Sequence, residues 1–434
     1  MLTFITNPII VSVIFLCILC LCRVNVLLSL IIASVIGGVV GHISLSQVMD
    51  IFIHGMGGNS ETALSYILLG AFAASMTHTG LAPILAKKIA NAIKSNKYML
   101  IAILTGIAIL SQNLIPVHIA FIPILVPPLL GLMNKLKLDR RAVACGLAFG
   151  LESPYIAIPA GFGLIFQGLI AENMMQNGVE VVKSQIWKYN WILALGMFIG
   201  LLFAVFVLYR KPREYKDVQI QTKDSDNLTL NRSHYITLVA AVLTLVVQLW
   251  TNSLPFGALV GLSVIFGFRA IDHDKMDKLI NEGVGLMGYV AFVMLVAAGY
   301  AAVMKATGGI DTLVNSITPF MTSKLVAAFL MLFVGLFITM GIGTSFGTIP
   351  ILAVLYIPIC VKLGFSIPSM IIVLSAAAAL GDAGSPASDT TLGPSAGLNA
   401  DGQHNHIWDT CVPTFLLYNI PIILAALISV AIFK

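Results

Sequence analysis

Charge is what this sequence most lacks. Of its 434 residues only 10% are Asp, Glu, Lys or Arg, while 58% are hydrophobic; ordinary soluble domains carry roughly 25% charged residues. So little charge cannot cover a water-exposed surface, which excludes a soluble enzyme, a nucleic-acid binder and a disordered scaffold. The net charge of +5 does not change this, because the 24 basic residues form no stripe that could track a phosphate backbone. Cysteine is scarce as well. Cys17, Cys20, Cys22, Cys145, Cys360 and Cys411 sit in or beside apolar runs, so the Cys17-x-x-Cys20 spacing reads as packing, not as a redox or zinc motif. No glycine-rich nucleotide loop followed by Lys is present, so ATP is not the expected energy source. The N-terminus has neither a basic n-region nor a small-residue cleavage site and reads as a first span.

What the chain has instead is membrane-length apolar sequence. Its mean hydropathy is +0.97, and at about 20 residues per transmembrane helix there is room for about ten spans or more. Spans are expected near 8–22, 25–42 and 64–84. An interrupted pair follows at 98–110 and 117–133, then a long broken segment at 142–171 and a span at 190–209. The hydrophilic stretch from Arg210 to Ser233 divides the chain. Beyond it the layout recurs: spans near 236–250, 255–268 and 284–304, an interrupted pair at 325–341 and 349–362, a broken segment at 368–399 and a last span at 413–433. The organisation read from this is a first membrane repeat over 1–209, a cytoplasmic linker over 210–234 and a second repeat over 235–434.

Basic residues orient the chain. If each interrupted pair is a re-entrant hairpin, the N-terminus lies outside. The inner loops then hold most of the Lys and Arg, including Lys87, Lys88, Lys135, Lys137, Arg140, Arg141 and the cluster from Arg210 to Arg232. Two full spans in the first pair would put Lys135 to Arg141 outside, so the hairpin reading is preferred. The inner loop around His404 carries no Lys or Arg.

The halves resemble each other at a shift of about 230 residues, the weak internal similarity expected of a transporter repeat. Thr79-Gly80 matches Thr307-Gly308, Ile122-Pro123 matches Ile357-Pro358, and Ser153-Pro154 matches Ser385-Pro386. Five crossings per half is an odd number, so the second copy is inverted. The expected fold is all-α and polytopic: an inverted repeat of two five-crossing halves, each with a re-entrant hairpin and a broken helix. The breaks are the stretches from Leu151 to Gly161 and from Gly381 to Pro394. Proline there removes an amide donor and collides with the preceding turn. The freed carbonyls are tolerated only inside protein or beside a watery cavity.

Asp382, Asp389 and Glu152 are the acids this map places well within the hydrocarbon. An unpaired charge there costs at least about 2.5–3.5 kcal/mol, and no Lys or Arg lies in the facing spans. A proton or a metal cation must then supply the counter-charge. Free carbonyls with Ser385, Ser388, Asp389, Thr390 and Thr391 offer the oxygen ligands that hard cations prefer. The hairpin tips add Ser111, Gln112 and Asn113 on one side and Thr344 and Ser345 on the other. His118, Glu152 and Ser153 complete the candidate ion or substrate site. A sodium ion is placed on Asp389, Ser385, Asn113 and Thr344. Gly343-Thr-Ser345-Phe-Gly347 matches a hydrolase nucleophile elbow, but its apolar flanks lack the strand and helix that elbow needs. Asp401, His404 and His406 could bind a metal or titrate near neutral pH, though they read first as a solvated loop.

Gly381-Asp382-x-x-Ser385-Pro386-x-Ser388-Asp389-Thr390-Thr391 resembles the NhaC-type sodium/proton antiporter family of the ion-transporter superfamily. Asp401 to Pro413, with His406 and Thr410, is similar to that family's Asp/His-rich segment, although the residues between the histidines differ. The resemblance implies a homodimer in the bacterial inner membrane, with a scaffold and an elevator-like transport unit. It also implies Na+ or H+ as coupling ions, with no other cofactor. The stretches Ser111 to His118 and Glu152-Ser-Pro resemble a branch of the family whose members look like amino-acid permeases. The expectation is therefore a cation-coupled secondary transporter of the sodium/proton antiporter family, with Asp389 as cation ligand and Asp382 as the proton-titrating partner. Sodium- or proton-coupled amino-acid uptake is the alternative, and a passive channel stands behind both.

Overall fold

The computed structural model describes residues 7–22, 24–80, 84, 96–113, 122, 125–216, 231–251, 253–309, 323–342, 344–386 and 388–433. Among these residues the regular elements are all helical. Before the linker come α1 (Pro8–Leu21), α2 (Val26–Val40), α3 (Leu45–Gly55), α4 (Ser60–His78), α5 (Lys97–Asn113), α6 (Leu130–Lys135), α7 (Arg140–Ala157), α8 (Phe162–Gln176) and α9 (Trp187–Phe203). After it come α10 (Arg232–Thr251), α11 (Leu254–Gly267), α12 (Met276–Ala306), α13 (Lys324–Ile342), α14 (Ser345–Lys362), α15 (Ile367–Ala379), α16 (Asp389–Leu398) and α17 (His406–Ile432). Helix is the physical outcome for apolar runs in lipid, where each backbone donor and acceptor must be paired within the segment. The starts are marked in the sequence. Asn25 accepts the Leu27 amide, Asp139 the Arg141 amide and Ser388 the Thr390 amide, each satisfying an orphan donor of the first turn.

Four helical runs among the described residues are long and apolar enough to cross a bilayer: Lys183–Leu208, Arg232–Thr251, Ser345–Lys362 and His406–Ile432. A fifth arises if α7 and α8, bent by 46° at their junction, count as one span. All four tryptophans are exposed and lie near helix ends: Trp187 and Trp191 at the start of α9, Trp250 at the end of α10 and Trp408 at the start of α17. That is where an amphipathic ring meets the headgroup layer. α14 begins at Ser345, not near 349, and is almost wholly wrapped in protein. A helix with Pro350 and Pro358 inside it needs such surroundings, because each proline leaves a carbonyl unpaired.

Helix pairings in the two halves correspond. α1 packs on α2 and α10 on α11; α5 packs on α7 and α13 on α15; α2 packs on α12 and α11 on α4. Left-handed backbone positions correspond too: His42 with Arg269, Gly80 with Gly308, Lys137 with Gly364, and Gly178 with Gly402. Between the halves, α4 lies along α12 with glycine against glycine. A Cβ on Gly70 would meet the Gly283 carbonyl at 2.4 Å, and one on Gly283 would meet the Ala71 amide at 2.2 Å. α8 packs on α14, and α9 on α17. In this way both broken segments are drawn into the interior.

Candidate ion-binding site

Two breaks build the site. α7 carries Pro154 in its last turn, and Pro159 cannot donate to continue the helix, so α8 restarts from Gly161 in the left-handed region (φ 57°). Opposite, α15 stops at Ala379, and the chain turns through Gly381 to Ser388 before α16 begins. Gly384 sits at φ 102°, and its Cα lies against the Phe415 backbone, where an added Cβ would come within 2.7 Å. Asn419 on α17 ties this turn down: its side chain accepts the Gly381 amide at 2.9 Å and donates to the Ala383 carbonyl at 3.1 Å.

Asp382 occupies the turn and is buried. Its Oδ2 accepts the Tyr155 hydroxyl at 2.8 Å, the Ser345 hydroxyl at 2.5 Å and the Ser345 amide at 3.2 Å. Its Oδ1 accepts the Ser388 hydroxyl. The Ser388 and Thr390 hydroxyls lie 2.9 Å apart, and Thr390 donates to the Asp382 carbonyl. Thr391 donates to the Ser385 and Ser388 carbonyls, and Ser385 to the Met340 carbonyl. The first half thus supplies Tyr155 and the second supplies Asp382, Ser345 and Ser388. The ligand atoms here are all oxygen. Among the described residues, no Lys, Arg or His is one of the groups whose charge reaches Glu152 or Asp389.

Asp389 differs from Asp382. It is the first residue of α16, where the helix dipole favours a carboxylate. Protein surrounds it, yet the residue is exposed, unlike Asp382. Glu152 is fully buried on α7, close enough to Asp382 to feel its charge. Among the described residues neither of its oxygens has a hydrogen-bond partner of good geometry, and the Ala383 amide is the stabilising dipole beside it. Ser153 is buried beside it in sequence.

Thr344 precedes α14 as its N-cap residue, and its carbonyl accepts the Thr348 hydroxyl. Ser111 donates back to Ala108 in its own helix, and the Gln112 carbonyl oxygen is buried without a partner; among the described residues no hydrogen bond joins either to Asp382. Asn113 is the last residue of α5, and His118 lies outside the described residues. Sequence reasoning missed Tyr155, which stood inside the break from Leu151 to Gly161 but carries no charge. Five rings, Tyr66, Tyr155, Phe162, Phe166 and Phe346, pack against one another above the carboxylate.

One expectation needs correction. The segment after α16 is not a solvated loop. His404 is buried, with Nε2 2.7 Å from the Thr410 hydroxyl. Asp401 meets Arg140 in a two-pronged ion pair at 2.6 and 2.5 Å, both side chains sealed from solvent. Burial alone would raise the Asp401 carboxyl, but the Arg140 fork and Gln403 hold it below the usual carboxylate range. The first residues past α9 fold over this pair: Arg213 binds Asp409, the Tyr215 hydroxyl accepts the Arg140 amide, and Gln403 exchanges two hydrogen bonds with Lys216. Among the described residues no group of His, Cys, Asp and Glu has the arrangement of a metal cage.

A helical membrane bundle whose broken helices converge on a buried carboxylate defines a transporter, not an enzyme. The model of the Na+/H+ antiporter family matches residues 146–429, and a second, described as the Na+-H+ antiporter family, matches residues 7–93. The chain belongs to the Na+/H+ antiporter family and is a multi-pass, cation-coupled membrane transporter. It is 46% identical over 431 residues to an uncharacterised membrane protein of Vibrio parahaemolyticus, VP2115, covering 96% of this chain and 98% of that one. It is 45% identical over 434 residues to YuiF of Bacillus subtilis, provisionally named an amino acid transporter, with 96% and 98% covered. In fold it is similar to the YdaH transporter of Alcanivorax borkumensis, at a TM-score of 0.59 and 13% identity over 89% of this chain and 88% of that one. It is also similar to MtrF of Neisseria gonorrhoeae, at 0.55 and 15% over 90% and 85%.

Proposed function

We propose that the chain exchanges sodium for protons at the break between α15 and α16, with Asp389 as the sodium ligand reached from solvent and Asp382 as the carboxylate that exchanges a proton. The observation that carries this is the Asp382 cluster: a buried carboxylate ringed by hydroxyls, with no ion pair to a basic side chain among the described residues. A charge held there needs a cation or a proton. Ser385, Ser388, Thr390, Thr344 and Ser345 supply hard oxygen around it, with Asn113 and the first hairpin completing the site. The matching helix pairings and left-handed turns support a first repeat over 1–209, a linker over 210–234 and an inverted second repeat over 235–434. In that arrangement the linker and the ends of α7 and α16 face the cytoplasm of a bacterial inner membrane, as the basic residues of Arg210 to Lys216 favour. Alternating access then carries the two breaks as one elevator-like unit against a scaffold that pairs with a second copy.

Similarity to YuiF favours a second reading, in which the same cation site drives amino-acid uptake. One assay separates them. Protein in liposomes is given an inward sodium gradient while internal pH is followed, and labelled histidine and other amino acids are then supplied outside. Sodium-driven proton efflux without amino-acid accumulation supports exchange; accumulation without proton efflux supports uptake. Flux that drives no second species uphill defeats both and indicates a channel. Asp389→Asn is expected to abolish coupled transport in a folded protein, and wild-type activity in it would overturn the site.

A further inference from the structure

Proline leaves the two breaks unequally satisfied. In the second half Asn419 closes its turn with both ends of the amide, accepting the Gly381 N–H and donating to the Ala383 carbonyl. Asn190 on α9 does the same work in the first half, where its Nδ2 donates to the Ile156 carbonyl at 3.2 Å. Counted from the first residues of α7 and α15, Ile156 corresponds to Ala383, and Pro154 to Gly381. Pro154 has no N–H to give. Among the described residues Asn190 Oδ1 is accordingly buried without a partner.

Other orphaned oxygens lie beside it. Gln167 on α8 donates its Nε2 to the same Ile156 carbonyl at 3.2 Å. A carbonyl only accepts, so each amide turns its nitrogen toward it and its oxygen away. Gln167 Oε1 has no partner among the described residues, nor has either oxygen of Glu152, which stands one helical turn before Ile156 on the same face of α7. All three side chains are wholly buried. The Tyr155 carbonyl has lost its helical donor too, because Pro159 stands in that place. Against these acceptors the Ala383 amide is the N–H beside Glu152.

We propose that the α7–α8 break is a second cation site, in which Glu152 supplies the charge and the Asn190 and Gln167 carboxamides supply neutral oxygen to a dehydrated, sodium-sized ion. The inference rests on the cation-coupled reading above and adds an ion to it. Glu152, Asp382 and Asp389 carry three negative charges when ionised, and one sodium with one proton cancels two of them. A proton on Glu152 would cancel the third but leave both amide oxygens unpaired. A hard cation satisfies them together. Calcium, of nearly sodium's radius, holds oxygens at about 2.3–2.6 Å, so ligands of one such ion stand up to about 5 Å apart. Oxygens so spaced form no hydrogen bonds with one another, and none joins Glu152 to either amide here. A single carboxylate balances a single charge, which suits a monovalent ion better than calcium or magnesium. Because the Asp382 charge reaches Glu152, protonation of Asp382 weakens the hold on this ion and links the two breaks.

The test counts ions bound to the full protein in detergent, using radioactive sodium at saturation. Wild type is expected to hold two per chain. Glu152→Gln, which is close to isosteric, and Asn190→Leu are each expected to leave one, and Asp389→Asn likewise leaves one. Gln248→Leu is the control: it removes a buried amide on α10 that also has no partner among the described residues, and it should still bind two. A wild type that binds one ion, lost in Asp389→Asn, overturns the second site and leaves the exchange reading intact. That count requires no variant of the first break to fold. Two ions retained in both Glu152→Gln and Asn190→Leu overturn the placement. An equal loss in Gln248→Leu overturns it as well, by assigning the effect to packing. A wild type that binds no sodium overturns the second site and the exchange reading together.

Discussion

Replacing Asp401 by Asn removes one half of an ion pair that the fold has already desolvated. The Arg140 guanidinium would keep the Leu398 carbonyl at 2.9 Å, the Asn134 side chain at 2.9 Å and the Tyr215 ring 4.2 Å beneath it. It would lose two charge-assisted bonds at 2.6 and 2.5 Å and have its charge left uncompensated, with Nε already unpartnered among the described residues. Breaking a buried pair from one side costs about 3–5 kcal/mol; with the remaining partners in place we expect the lower end, about 3 kcal/mol. Replacing both residues together, Arg140→Met with Asp401→Leu, removes the uncompensated charge and is expected to be nearly neutral. The measurement is reversible unfolding in mixed detergent micelles, with Arg140→Met, Asp401→Leu and the double variant forming a cycle beside Asp401→Asn. The folded carboxyl lies below its ordinary value, so the pair's contribution is complete above about pH 4 and lost below it. Wild type and Asp401→Asn should therefore converge only in acid. A single variant losing under about 1 kcal/mol would behave like an exposed pair and refute the reasoning, as would a double variant as unstable as the single.

His404 gives a second pH signature. Its folded value, about 4, lies below the ordinary 6.5, so its contribution is full above pH 6.5 and is lost as pH falls through 4. The difference between wild type and His404→Gln should shrink by up to about 3 kcal/mol across that window, and a difference that stays flat would count against neutral burial. Gly384→Ala places a Cβ 2.4 Å from the Phe415 Cβ at a backbone angle that L residues avoid. A loss of about 1–3 kcal/mol is expected, together with loss of coupled transport because the Asp382 turn must shift; sodium binding at wild-type affinity would contradict this.

The breaks were legible in the sequence because proline acts within its own turn. Pro154, Pro159 and Gly161 end one helix where expected, and Gly381 to Ser388 separates α15 from α16. Pro394 was less legible: α16 runs through it, since one missing amide is tolerated where protein encloses the helix. The carboxylates announced themselves by cost, as unpaired charge in apolar sequence. Their partners did not. Tyr155 stands 227 residues from Asp382, and Arg140 stands 261 from Asp401, separations across which no periodicity carries information. Arg140 was read as one more loop cation because only tertiary packing seals it. The contrast between a closed Asp382 and an open Asp389 is likewise a property of how two broken helices face each other, not of either one.

The contact between α4 and α12 has a consequence of a different kind. Gly70 and Gly283 meet backbone to backbone, so the spacing of these helices is the thickness of two peptide units. Where Gly70 meets the Gly283 carbonyl the contact is backbone on backbone, with the Met287 side chain packed beside it. Such a joint has one length. A residue of any size at either position acts as a shim, opening the angle between the helices and displacing their far ends by more than it displaces the contact. A single added methyl at Gly70 or Gly283 would thereby reset the geometry of the halves that α4 and α12 join, while every residue that touches an ion stays as it is.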